Sequence, residues 1–227
     1  MTKTKVIALL PMKGNSERVP NKNLKLFNGK PLYHWVLLEL LKSKYIEQVI
    51  VNTDSPLIKE NIISSFSEKV IIHDRPDEII GDFVSMNDII ADDLSKTDGE
   101  IYVQTHSTNP LLSIDSVDKA IAKMITESEK GDYDSIFSVT KIQTRLYDTE
   151  GTALNHNPQE LIRTQDLPPV FEENSNFFIF TKTSFINSGN KRIGKNPLMF
   201  EIDKLEAIDI DEPQDFIIAE SIFKTLR

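Results

Sequence analysis

The sequence contains no cysteine, which excludes disulfide bonds, Cys-ligated zinc, iron–sulfur clusters and a thiol nucleophile. Its four histidines are scattered and show no HExxH-type pairing. No stretch approaches the ~18 consecutive apolar residues of a membrane-spanning helix. The first apolar run, residues 6–10, is shorter than the roughly 7–15 residues of a signal-peptide core. We therefore expect a cytoplasmic protein that does not associate with a membrane.

Basic residues are also fewer than acidic residues. The chain has 26 basic and 35 acidic side chains and a formal net charge of −9. Proteins that bind nucleic acid normally present a basic surface, so this balance argues against that class of partner. An anionic ligand would have to be held by a local cluster of cations that opposes the overall charge. The length of 227 residues fits a single domain covering 1–227.

Short runs rich in β-branched residues alternate with segments of helical periodicity. This alternation is typical of βαβ units and predicts an α/β fold with a mostly parallel, doubly wound sheet. We expect strands at Lys5–Leu10, Gln48–Asn52, Lys69–His73, Glu100–Gln104, Ser135–Thr140, Phe177–Thr181, Leu198–Ile202 and Ala207–Ile210. The helices are predicted at Pro31–Ser43, Pro56–Phe66, Ser85–Leu94, Ile114–Ser128 and Pro213–Leu226.

One long stretch, from about residue 142 to 173, is polar, contains three prolines and has no clear period. Irregular stretches of this length inside a domain usually carry a function or an interface. We interpret it as an arm inserted into the α/β domain.

The loop after the first predicted strand concentrates positive charge. Residues 11–25 contain Lys13, Arg18, Lys22 and Lys25 against the single acid Glu17. Gly14, Asn15 and Ser16 supply backbone N–H groups and a hydroxyl that together suit a phosphate-binding nest. The loop matches neither the Walker motif nor GxGxxG. An ordinary solvated surface loop is the alternative interpretation.

Polar residues follow three further strands, where ligands bind in open parallel sheets. Asp54 and Ser55 could line a pocket or cap the next helix. Arg75 could grip a phosphate with two nitrogens or form a surface ion pair. Gln104 suits a substrate-reading amide. His106 could be a general base, although a hydrogen-bonded loop histidine is commoner.

Asp209 and Asp211 would project from the same face of a strand. Their mutual repulsion would be relieved by a cation, and Mg²⁺ prefers one or two carboxylates together with substrate phosphates. The alternative is that Asp211 caps the helix that begins at Pro213.

The first loop resembles the Pro-Ala-Arg-x-Gly-Ser-Lys-Gly-x-Pro-x-Lys-Asn signature of the CMP-acylneuraminate (sialic acid) synthetases, a cytidylyltransferase family. The resemblance continues in the same order over nearly the whole chain. It is carried by Asn28–Leu32, Thr53–Ser55, Arg75-Pro76, Asp82 with Ser85, Gln104 with Pro110-Leu111, Gln165 to Pro168, Phe171, Asn174, Arg192–Gly194 and Ile208–Asp211.

This resemblance implies a Rossmann-like nucleotidyltransferase fold, with the arm at about 142–173 building a homodimer. It implies that CMP is transferred from CTP to the anomeric hydroxyl of a 2-keto-3-deoxy sugar acid, with release of pyrophosphate. Lys13, Lys22 and Asp211 would be catalytic. The nucleotide would be held by Lys13, Gly14, Asn15, Ser16, Lys22, Asn23, Arg75, Asp82 and Ser85. The sugar would be held by Gln104, Arg163, Gln165 and Asn174, and Mg²⁺ by Asp209 and Asp211.

The chain also departs from the family pattern. Lys13 stands in place of an arginine, Glu17-Arg18 replaces Lys-Gly, and Leu112 replaces a further arginine. The sugar acid is therefore left open among sialic, legionaminic and pseudaminic acids and an eight-carbon analogue. Two other functions also stay open: a nucleotidyltransferase with another base or a sugar phosphate, and a catalytically silent nucleotide-binding regulator.

Overall fold

The computed structural model describes residues 4–66 and 68–226. The strands are β1 Val6–Leu9, β2 Leu26–Phe27, β3 Lys30–Pro31, β4 Ile46–Thr53, β5 Val70–Asp74, β6 Ile101–Thr105, β7 Ser135–Ile142, β8 Val170–Thr181 and β9 Pro197–Glu201. The α-helices are α1 Leu32–Leu41, α2 Pro56–Ser65, α3 Met86–Ser95, α4 Ile114–Lys130, α5 Lys182–Asn187 and α6 Pro213–Leu226. Short 3₁₀ turns occur at Lys22–Leu24, Asp77–Ile79 and Thr164–Asp166.

Seven strands form one sheet in the order β5-β4-β1-β6-β8-β7-β9, and β2 pairs with β3 in a small hairpin. β8 pairs antiparallel with both β6 and β7, whereas the other pairings in the large sheet are parallel. The predicted mostly parallel α/β fold is confirmed.

Apolar side chains alternate between the two faces of the sheet, as strands buried on both sides require. From β1, Val6 and Ala8 face the layer of α1, α2 and α4, while Ile7 and Leu9 face α3 and α5. The sheet is therefore wound on both sides. α6 packs separately on the β2–β3 hairpin through Phe216 and Phe223.

The predicted strand at Ala207–Ile210 is wrong, because residues 204–207 form a turn and 208–211 are irregular. Asp203 explains the turn: its carboxylate accepts the N–H of Leu205 at 2.8 Å and its carbonyl accepts the N–H of Ala207 at 3.1 Å. A single backbone bond, from the Ile210 N–H to the Thr108 carbonyl at 2.9 Å, ties this segment to the loop after β6.

The predicted arm is partly regular. β7 ends at Ile142 and β8 begins at Val170, so the two strands form the base of the arm. Between them the described chain has one 3₁₀ turn and an isolated bridge between Tyr147 and Ala153. Leu167 is buried, but several other apolar side chains along this arm are exposed, including Leu161, at 97%. Among the described residues, no helix is both long and apolar enough to span a membrane.

Candidate active site

A pocket of about 410 Å³ opens where β1, β5 and β6 end, at the carboxyl edge of the sheet. This is the edge at which open parallel sheets bind ligands, and the volume fits a small organic molecule. Four cationic and four acidic side chains line the pocket. They are Lys13, Arg18, Lys22 and Arg75, and Glu17, Asp82, Asp209 and Asp211.

The loop after β1 folds over the pocket through contacts to two other loops. Lys13 Nζ donates to the Asp82 carboxylate at 2.7 Å. The lysine that the sequence predicts to bind phosphate is therefore paired with an acid in this structure. The Gly14 N–H donates to the Asp54 carboxylate at 2.7 Å, which means that it does not face a phosphate nest in this state. A Cβ at Gly14 would lie 2.9 Å from the Ser55 Cβ, so only glycine fits this approach.

Lys22 and Arg18 converge on Asp211 from the same loop. Lys22 Nζ donates to the Ile210 carbonyl at 2.6 Å and lies 3.4 Å from the Asp211 carboxylate, which Arg18 Nη2 approaches to 2.9 Å. The Lys22 side chain is only 12% exposed. The capping alternative for Asp211 is wrong, because its carboxylate contacts these two cations and, among the described residues, accepts no N–H of α6. The Asp215 carboxylate instead accepts the N–H groups of Asp211 and Glu212.

Asn23 connects the first loop to the loop after β6. Its Nδ2 donates to the Lys13 carbonyl at 3.0 Å, and its Oδ1 accepts from the Ser107 hydroxyl at 2.7 Å. Asn23, Ser16 and Ser107 all line the pocket. These polar atoms give the pocket neutral hydrogen-bonding groups beside its charges.

Arg75 is only 9% exposed, and its guanidinium is hydrogen-bonded to β4. Its Nε donates to the Asn52 Oδ1 at 2.9 Å, and its Nη2 donates to the carbonyls of Asn52 and Met12. Asn52 is itself fixed by its Nδ2, which donates to the buried Asp93 carboxylate at 2.8 Å. Burial lowers the pKa of Arg75, while the charges of Asp54 and Asp93 oppose that shift. Nη1 makes no hydrogen bond within the described chain, so it is available to a ligand.

Asp209 and Asp211 lie on the same side of the pocket although no strand holds them. Desolvation by neighbouring groups raises the pKa of Asp209, although the residue is exposed to solvent. A hydrogen bond from Thr108 opposes this shift and the charge of Asp211 adds to it. No group of three or more acidic or histidine side chains within residues 4–66 and 68–226 could hold a metal ion by itself. A two-carboxylate set fits Mg²⁺ only if ligand oxygens and water complete the shell.

Gln104 and His106 form a second polar group next to the pocket, together with Arg192. Arg192 Nη1 donates to the Gln104 Oε1 at 2.6 Å, and the Gln104 Nε2 lies 3.3 Å from the His106 Nε2. Because both neighbours present donors to the His106 Nε2, that nitrogen acts as an acceptor. Burial and the charge of Arg192 lower the pKa of His106 to about 4, so the imidazole is neutral at pH 7 and a weak base.

Sequence reasoning assigned no role to Arg192, although the residue lies in a segment that carried the family resemblance. It follows β8, which runs antiparallel to its neighbours. The strand-end rule therefore does not predict it at the ligand edge.

Seven predicted site residues do not line the pocket, among them Gln104, which lies beside it in contact with His106 and Arg192. Ser85 caps α3 by accepting the Asn87 N–H at 3.2 Å, and Asn15 points to solvent. Arg163 is paired with Asp166 on the exposed arm, and Gln165 is exposed nearby. The remaining two are Gly14, described above, and Asn174, whose side chain joins Ser138 and Thr140 of β7 across a bulge in β8.

Comparison with known proteins supports a nucleotide-handling site. A family model described as cytidylyltransferase matches residues 7–217. The N-acylneuraminate cytidylyltransferase of Escherichia coli O18:K1:H7 is 27% identical over 97% of this chain and 52% of its own length. The pseudaminic acid cytidylyltransferase of Campylobacter jejuni is 24% identical over 97% of both chains. The chain spans about half the length of the N-acylneuraminate cytidylyltransferases it matches.

A solved structure with the same fold was determined with a nucleotide. The structure of a CMP:2-keto-3-deoxy-manno-octonic acid synthetase complexed with CTP aligns with a TM-score of 0.72. It covers 99% of this chain and 100% of that one at 15% identity. A 3-deoxy-manno-octulosonate cytidylyltransferase of Francisella tularensis is 29% identical over 78% of this chain.

Proposed function

Because this chain belongs to the cytidylyltransferase family, we propose that it transfers CMP from CTP to the anomeric hydroxyl of a 2-keto-3-deoxy sugar acid. The main observation in favour of this proposal is the pocket at the carboxyl edge of the sheet, which is lined by four cationic and four carboxylate side chains. A triphosphate can displace Asp82 from Lys13 and Asp211 from Arg18 and Lys22, so these cations can be released to a ligand of high negative charge.

The proposed reaction is a substitution at the α-phosphorus of CTP. The anomeric oxygen forms a bond to that phosphorus, the bond to the β-phosphate oxygen breaks, and pyrophosphate leaves with the electron pair. The hydroxyl proton is released to water. Such transfers depend mainly on positioning and on neutralising charge at the phosphates.

The basic side chains of the first loop supply that neutralisation. Lys13 leaves Asp82, and Arg18 and Lys22 leave Asp211, as phosphate oxygens replace the carboxylates. Arg75 holds its free Nη1 towards the pocket while Nε and Nη2 keep the guanidinium in place. Asn23 offers an amide of the kind that recognises a nucleobase edge.

Asp209 and Asp211, once Asp211 is released from Arg18 and Lys22, would hold Mg²⁺ together with phosphate oxygens. When bound, Mg²⁺ supplies positive charge at the phosphates and lowers the pKa of a coordinated hydroxyl. Because the pKa of Asp209 is raised, protons compete with a cation for this carboxylate at acidic pH.

The arm supports a homodimer. Tyr147, Leu154, Leu161 and Phe171 expose apolar surface along it, and such patches mark interaction surfaces. Arg163 and Gln165 lie on the same arm and do not reach the pocket of their own subunit. We infer that they act in the pocket of a second copy.

The test measures pyrophosphate release from CTP, UTP, ATP and GTP, with and without Mg²⁺, against eight- and nine-carbon 2-keto sugar acids. We expect release only with CTP, Mg²⁺ and one class of acid, and a product whose mass equals CMP joined to that acid. Release with another nucleotide would contradict the proposed base. CTP binding without turnover on any acid would support the silent regulator instead.

A further inference from the structure

Arg192 approaches the pocket from the connection between β8 and β9. Its guanidinium carbon lies 3.6 Å from the ring centre of Phe178 on β8. Its backbone N–H donates to the Asn87 side chain at the start of α3, which fixes the segment against that helix. Stacking and the Gln104 bond together hold the guanidinium plane in one orientation.

Arg192 lies next to the pocket, in contact with a residue of its wall. Arg192 Nη1 is 3.5 Å from the His106 Nε2, and His106 lines the same pocket as Asp209 and Asp211. The charges of both Asp211 and Lys22 act on His106. The cluster formed by Gln104, His106 and Arg192 therefore lies beside the first-loop cations.

Arg192 differs from those cations in lacking an acidic partner. Lys13, Arg18 and Lys22 each have a carboxylate within 4.0 Å. In the part of the chain that the structure describes, no carboxylate forms an ion pair with Arg192, and its Nε and Nη2 make no hydrogen bond. Burial lowers its pKa to about 10, with the charge of Glu173 opposing, so the side chain is still a cation at pH 7.

We propose that Arg192 binds the carboxylate of the sugar acid through its two unused nitrogens, with Gln104 and Phe178 fixing the fork. A half-buried cation without an acidic partner is costly, and a planar carboxylate is the anion that fits a guanidinium fork. The carboxylate carbon is bonded to the anomeric carbon, so holding it also restrains the attacking hydroxyl. This inference rests on the proposed function, because it assigns the acid-recognition element of the same site.

The test compares each acid with its C1 carboxamide in the wild-type protein and in Arg192→Gln. We expect the wild type to lose about 10- to 100-fold in kcat/KM when the carboxylate becomes an amide. Arg192→Gln should lose a similar factor with the acid and little more with the amide, while KM for CTP stays within about twofold. Arg192→Lys should fall between them, because it keeps the charge and loses the fork. Lys191→Ala, an exposed neighbouring cation, is the matched control and should behave as wild type.

Two results would overturn the inference. One is an Arg192→Gln protein that still discriminates acid from amide as strongly as wild type. The other is an equal loss on both compounds with weakened CTP binding, which would indicate a purely structural role. If Arg192→Gln fails to fold, the acid and its amide are compared in Arg192→Lys instead, and the same two results would overturn the inference. Failure of the proposed function is separate, since the wild type would then release no pyrophosphate with any acid.

Discussion

The first-loop cations that would bind a triphosphate, Lys13, Arg18 and Lys22, form ion pairs with the pocket's own acids. Lys22 is the least exposed of them and also reaches a backbone carbonyl. Lys22→Gln can keep a donor for that carbonyl but removes the charge. We expect CTP to bind about 10- to 100-fold more weakly, since a hydrogen bond to a charged group contributes about 1.5–3 kcal/mol.

Titration calorimetry measures this effect, with Lys69→Gln as the control. Lys69 is an exposed lysine far along the chain from the pocket loop. Unchanged CTP affinity in Lys22→Gln would show that the triphosphate does not lie over the first loop.

His106 gives a second prediction at this scale, on stability against pH. Its imidazole titrates at 6.5 when unfolded and at about 4 in the fold, because burial disfavours the charged form. Between these values the unfolded chain binds the extra proton, so the free energy of unfolding falls as pH decreases from 6.5 to 4. The loss attributable to His106 is on the order of 3 kcal/mol.

Urea unfolding at pH 7 and pH 4, for wild type and His106→Gln, isolates this contribution as the difference between the two pH dependences. Parallel pH dependences would mean that His106 is solvated in the folded protein.

Secondary-structure elements, rather than the pocket loops, hold Arg75. The Arg75 side chain follows β5, Asn52 lies on β4 and Asp93 on α3, so three elements meet in one hydrogen-bonded chain. Asn52→Ala removes the acceptor of the Arg75 Nε and a donor to the buried Asp93 carboxylate, and we expect it to lower the free energy of unfolding by about 1–3 kcal/mol. KM for CTP should rise several-fold because the guanidinium loses its fixed orientation.

The control is Ile121→Val, a core change on α4 that costs about 1 kcal/mol and should leave KM for CTP unchanged. An equal rise of KM in both variants would attribute the effect to general destabilisation.

Sequence patterns predicted the elements that depend on local periodicity and the residues at parallel strand ends. Lys13, Lys22 and Arg75 reach the pocket because strands of the same direction end at one edge. The segment at Asp209 could not be predicted in the same way, because its turn depends on Asp203 and its position on long-range bonds to Thr108 and Lys22. Arg192 was missed because it reaches the pocket from the loop between α5 and β9 through tertiary contacts with Gln104 and Phe178, which no local pattern encodes.

At the scale of the whole molecule, the exposed arm is the feature that a single chain leaves unexplained. We expect a homodimer in solution, and we expect Leu161→Asp to weaken it because this side chain is 97% exposed in one chain. Sedimentation velocity should give a dimer for wild type and a smaller species for the variant. Turnover should fall with dissociation, since Arg163 and Gln165 lie on the arm.

Ile63→Asp, at an exposed position on α2, serves as the control and should keep the wild-type mass. A monomeric wild-type protein with full activity would refute the proposed role of the arm.

Asp211 is the point at which the whole account can be tested most directly, because two first-loop cations and the proposed metal site meet there. The measurement is the rate of pyrophosphate release at saturating CTP, sugar acid and Mg²⁺ for wild type, Asp211→Asn and the neighbouring exposed Glu212→Gln. Unfolding curves would establish that each protein is folded. The account predicts a loss of at least about 100-fold for Asp211→Asn, with Glu212→Gln near wild type. Near-normal turnover by a folded Asp211→Asn protein would contradict it.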